Sequence, residues 1–140
     1  MRRAVLAAAL LLTGGAAEQA RELAGQPLAA LLTRPSVGLT LRQVSGGHQR
    51  AVSEGIRRPG LLSVAAERYV FGHGCGEAGC GIEGLFVGWD AETGRVFLIV
   101  VEDGSAVLTV PPRRAPWPEA LRAGVAGFNP AIAARMRFGE

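Results

Sequence analysis

The chain has 140 residues with 15 basic and 12 acidic side chains, a formal charge of +3, and every basic residue is arginine. Removing Arg2 and Arg3 with an N-terminal leader brings that balance close to neutral, so no strongly basic face for nucleic acid is implied, and no run interleaves arginine with aromatic rings as a strand-stacking groove would require. Two cysteines and two histidines are too few for a metal-rich or multiply stapled class.

The first residues read as a targeting segment. Arg2 and Arg3 precede the apolar run AVLAAALLL at 4–12, and small residues follow at Gly15 and Ala17. A charged start, a short apolar stretch and a small-x-small site mark a secretory signal peptide. Residues 1–17 are therefore expected to be removed, with the cut after Ala17. The run is much shorter than the roughly 20 apolar residues of a membrane-spanning helix, and no cysteine follows it for a lipid, so no stable membrane anchor is expected. Residues 18–140 are then one exported, periplasmic domain, a size that supports a single core.

Helices come next. A short one is expected from Pro27 to Leu32, since proline's missing N–H costs nothing in a first turn. Arg34-Pro35 ends it. Val37, Leu41 and Val44 then recur at helical spacing until Gly46-Gly47. A further helical piece is expected over 48–56, with Val52 and Ile56 sharing a face, and Pro59-Gly60 turns the chain. Arg57-Arg58 and Arg113-Arg114, each beside proline, read as solvated turns.

The centre reads as β-structure. Segments at 61–65, 68–72, 82–90 (IEGLFVGWD), 95–103 (RVFLIVVED) and 105–110 are rich in large or β-branched apolar residues. Asp90 to Gly94 has a turn opener and a closing glycine, and Asp103-Gly104 is a preferred two-residue hairpin turn. Both faces of RVFLIVVED are apolar, so this strand is expected to be covered on both sides. The tail returns to helix at Trp117-Pro118-Glu119, with Leu121, Val125 and Phe128 on one face. Asn129-Pro130 reads as a cap opening a last helix, with Ile132 and Met136 inward. The expected fold class is α+β: an antiparallel meander of about five strands, flanked by N- and C-terminal helices.

Cys75 and Cys80 stand at C-x4-C spacing in an exported chain, where oxidation is the default. The enclosed residues Gly76, Glu77, Ala78 and Gly79 include two glycines and no β-branched residue, so the segment can bend to the Cα separation of a disulfide. A redox pair usually has C-x-x-C spacing at a helix start. Zinc held by His73, Cys75 and Cys80 would need a fourth ligand, and His48 is the one other histidine. Neither a metal nor another cofactor is expected. No nucleophile elbow, zinc-protease helix or phosphate loop with lysine is present, and the reading is a binding protein rather than an enzyme.

Residues 68–104, RYVFGHGCGEAGCGIEGLFVGWDAETGRVFLIVVEDG, resemble the Ivy family, the exported inhibitors of c-type lysozymes. The strand leading into G-C-x4-C, the following apolar strand and the T-G-R hairpin carry the resemblance, which extends from about Val37 to Phe128. It implies an Ivy-like sheet flanked by helices, and a disulfide-closed loop that enters the cleft of a c-type lysozyme or another peptidoglycan hydrolase. It also allows a homodimer. In well-known members the loop reads C-K-P-H-D-C, and its histidine hydrogen-bonds the target's two catalytic carboxylates. Here the lysine position is Gly76, the proline Glu77, the histidine Ala78 and the aspartate Gly79. Ala78 has no donor. A Glu77 carboxylate about 4 Å from another would cost roughly 4 kcal/mol at an effective dielectric near 20, about a thousandfold in affinity. His73, on the incoming strand, is the candidate accessory residue. The alternative reading is a non-inhibitory relative whose loop is structural or meets another partner.

Overall fold

The structure is a computed structural model that describes residues 15–139. Residues 1–14 of the expected leader lie outside the described residues, as does Glu140. Four helices come first: α1 (Ala16–Leu23), α2 (Leu28–Leu32), α3 (Pro35–Ser45) and, after a 3-10 turn at Gly46–His48, α4 (Gln49–Arg57). Five strands follow: β1 (Ser63–Ala65), β2 (Tyr69–Cys75), β3 (Gly84–Asp90), β4 (Val96–Glu102) and β5 (Ser105–Val110). The tail holds a two-residue strand β6 (Trp117–Pro118), a 3-10 turn at Glu119–Leu121, α5 (Arg122–Phe128), α6 (Pro130–Ala133) and β7 (Phe138–Gly139). No helix among the described residues is long and apolar enough to cross a membrane.

The five strands form an antiparallel meander in the order β1-β2-β3-β4-β5. Both expected hairpin turns are present, with Gly94 at φ +78° and Asp103-Gly104 at +51° and +79°. Strand period two sends alternate side chains to opposite faces. Val70, Leu85, Val87, Trp89, Leu98 and Val100 face one core with α1–α4 residues such as Leu28, Leu31, Val37 and Val52. Phe86, Phe97, Ile99 and Val101 face a second core with Trp117, Leu121, Val125 and Phe128. Both faces of β3 and β4 are thus buried, as the continuous apolar sequence of β4 implies.

Three details depart from the sequence reading. Helix α1 was not anticipated; it begins at Ala16, so the expected cleavage point after Ala17 falls inside it, and it buries Ala20 and Leu23. Ile56 is 36% exposed, and α4 instead presents Ala51, Val52 and Gly55 inward. Trp117-Pro118 is extended rather than helical and pairs with β7 in parallel. The reason is tertiary: Trp117 N donates to the Arg137 carbonyl (2.9 Å) and its indole Nε1 to the Pro111 carbonyl (3.1 Å), so the buried ring is held from both sides before the helical turn starts. The Asn129 cap is present, its Oδ1 accepting from Ile132 N.

The β3–β4 turn is held by one carboxylate. Asp90 is buried and accepts from Arg68 Nε (2.8 Å) and Nη2 (2.7 Å), from Glu92 N (2.9 Å) and from Thr93 Oγ1 (2.7 Å). This accounts for the D-x-x-T-G sequence: aspartate and threonine close the turn and glycine completes it. Burial works against the charged form, but the bonds from Arg68, Thr93 and Glu92 outweigh it and hold the carboxyl at about 2, below its ordinary 3.8. Because the folded value is depressed, this stabilisation is complete above the unfolded value and is lost as pH falls through the folded one. Asp90→Asn is expected to cost on the order of 2 kcal/mol near neutral pH. Denaturant melts between pH 5 and 2 should show that difference from wild type shrinking as the pH falls; a constant difference would show that the charge is not the cause.

Candidate binding loop

Strand β2 runs straight into the cysteine loop. On this strand Tyr69, Phe71, His73 and Cys75 alternate toward the second core, while Val70, Gly72 and Gly74 lie on the other face. Cys75 and Cys80 are joined, with a Cα separation of 4.6 Å. Within the ring the chain makes a tight turn, Gly79 N donating to the Gly76 carbonyl (3.0 Å). A second turn follows at once, with Ile82 N and Glu83 N both donating to the Gly79 carbonyl (3.1 and 2.9 Å). Gly79 sits at φ +91°, a region that favours glycine because other residues carry a Cβ. Of the four enclosed residues, Glu77 and Ala78 are exposed, Gly79 is half-buried and Gly76 is buried.

Three outside contacts fix this loop. Gly76 N donates to the Glu83 carbonyl (2.8 Å), closing its base. Gly104 N, in the β4–β5 turn, donates to the Ile82 carbonyl (3.0 Å). Asn129 Nδ2 donates to the Cys80 carbonyl (3.1 Å), so the residue that caps α6 also holds the ring. The hydrophobic part of the brace is Phe128, which packs in the same core as both cysteines.

His73 is placed on the strand rather than at the tip. Its ring centroid is 5.6 Å from that of Phe128, and it lines a shallow groove of about 270 Å³ with Leu61, Ser63, Phe71 and Gly124. Partial burial lowers its pKa, so at neutral pH the ring is largely neutral. Candidate ligand atoms of His73, Cys75 and Cys80 lie within 4.8 Å of one another, but the sulfurs are committed to the disulfide and a metal takes thiolates. His48 is not part of this group; its Nδ1 meets Glu102 Oε2 at 3.2 Å. The grouping therefore presents a disulfide beside a neutral ring.

The charged feature of the tip is an ion pair. Arg58 Nη2 donates to Glu77 Oε1 at 2.7 Å. The sequence signal was the Arg57-Arg58 pair, read as a solvated turn; its neighbour Arg57 does pair locally, with Glu54 on the same helix. Glu77 therefore carries a cation against it, which changes the electrostatics expected from the loop sequence alone.

Residues 36–131 match the family described as Inhibitor of vertebrate lysozyme (Ivy), and the chain belongs to that family. No curated protein and no solved structure matches it.

Two substitutions separate the constraints on the loop. Cys75→Ser with Cys80→Ser is expected to lower stability by on the order of 2 kcal/mol, as the short closed segment predicts. Gly79→Ala adds a methyl with no atom within 4 Å, so its expected cost of about 1–2 kcal/mol is backbone strain alone. Urea denaturation of both variants measures these values; a neutral Gly79→Ala would refute the left-handed geometry.

Proposed function

From its membership of the Ivy family, we propose that this chain is an exported, periplasmic binding protein that inhibits a c-type lysozyme or a related peptidoglycan hydrolase through the 75–80 loop. The observation that carries the reading is the disulfide-closed loop itself. It projects Glu77 and Ala78 from the end of the sheet while Gly76, Asn129 and the β4–β5 turn hold its base. A rigid loop loses little entropy on entering a cleft, which favours affinity. The role is that of an inhibitor rather than an enzyme, and Gly76, Glu77, Ala78 and Gly79 are its proposed contact residues, with His73 accessory. The leader at 1–17, cut after Ala17, delivers it.

The exposed residue at the family's histidine position is Ala78, and this favours a second reading: a relative whose loop is structural or meets another partner. Small side chains make poor anchors at interfaces.

Titrating the protein into a cell-wall lysis assay with c-type lysozyme decides between them. The first reading expects inhibition that is strengthened at least tenfold by Ala78→His, since a hydrogen bond to a charged group contributes roughly 1.5–3 kcal/mol. No inhibition by wild type at tens of micromolar, with inhibition gained only in Ala78→His, would establish the second.

A further inference from the structure

The turn after α4 lies against the strand that enters the ring. Pro59 bridges to Gly74, and Gly60 N donates to the His73 carbonyl at 2.8 Å. These contacts pin the turn to one edge of the strand's last residues, while β3 pairs with the other, so Arg58 is delivered beside the loop by the fold rather than by its own side chain. Both partners of the pair are on the surface, with side-chain exposures of 51% for Arg58 and 81% for Glu77. Exposed pairs of this kind contribute little to stability, so the fold does not depend on it.

Its effect is on what the tip shows to a partner. Alone, Glu77 would present a bare carboxylate. With Arg58 it becomes half of a neutral pair, and the one contact with Glu77 occupies a single N–H of a guanidinium that carries five. The remaining fork suits a carboxylate, which arginine engages in a planar, bidentate way. Hydrolases that cleave glycosidic bonds place two carboxyl groups on either side of the scissile bond.

We propose that Arg58 is the residue through which this loop recognises the catalytic carboxylates of its target hydrolase, with Glu77 as the positioning residue that holds the guanidinium beside the ring. The inference rests on the inhibitor reading above and assigns the charge contact that Ala78 does not supply.

Calorimetric titration against c-type lysozyme tests it, using wild type, Arg58→Ala, Arg58→Lys, and Arg58→Ala combined with Glu77→Gln. Arg58→Ala should weaken binding by roughly thirtyfold, and Arg58→Lys by less. Adding Glu77→Gln to Arg58→Ala should recover part of the loss, because it removes the carboxylate left unpaired at the tip. Against a lysozyme whose catalytic carboxyls are amidated, wild type should weaken and Arg58→Ala should change little, a coupling that a purely structural role would not produce. Unchanged thermal melts of the variants are expected alongside. If wild type and Arg58→Ala bind equally well, the inference falls and the inhibitor reading stands. If wild type does not bind at all, both fall.

Discussion

Helix α4 lies so close to strands β2 and β3 that neither Gly55 nor Gly74 can carry a side chain at the crossing. A Cβ on Gly74 would come within 1.9 Å of the Gly55 carbonyl oxygen, and one on Gly55 would meet Leu85 Cβ at 2.6 Å. Such approach is open to glycine alone. It sets the helix flat against the sheet at the end where the cysteine ring begins. The chain leaves the helix already in contact with the strand, and Arg58, Pro59 and Gly60 follow as a turn stitched to it. On the opposite face, Phe128 and Asn129 hold the ring from the C-terminal layer. The loop is thus gripped by both helical layers, and its tip is what they leave free.

The two layers depend on the alternation of side chains in β3 and β4. Every second residue enters one core and the rest enter the other, so a slip of one residue would exchange Leu85, Val87 and Trp89 with Gly84, Phe86 and Gly88. Asp90 guards against that slip at the turn. Its carboxylate ties the hairpin to Arg68, the residue just before β2, so three successive strands share one register mark.

Much of this was legible in the sequence because it is local. The D-x-x-T-G turn, the Asp103-Gly104 hairpin and the Asn129 cap each need only neighbouring residues, and the doubly apolar β4 announces its burial by composition. The cysteine spacing likewise pointed to a loop. What could not be read is what arises between distant segments. Arg58 and Glu77 are far apart in the chain and meet only because α4 crosses β2. Nothing in the composition of AAEQAREL separates a packed helix from a polar spacer; its burial of Ala20 and Leu23 is decided by the sheet it reaches. Trp117 followed by proline and glutamate has the marks of a helix start, but its ring and backbone find better partners at Pro111 and Arg137.

The sheet order has a consequence for how the chain reaches this state. Every strand in the main sheet pairs with its neighbours in sequence, so each hairpin can zip from its own turn with little loop-closure entropy. Contacts of short sequence separation speed folding. The cysteines come together at the mouth of the β2–β3 hairpin, so their oxidation can accompany the formation of that hairpin rather than wait for the whole domain. The N-terminal helices, synthesised first, find their packing surface only on strands made later. The apolar faces of α2 and α3 are therefore the surfaces that stay uncovered until the sheet is in place.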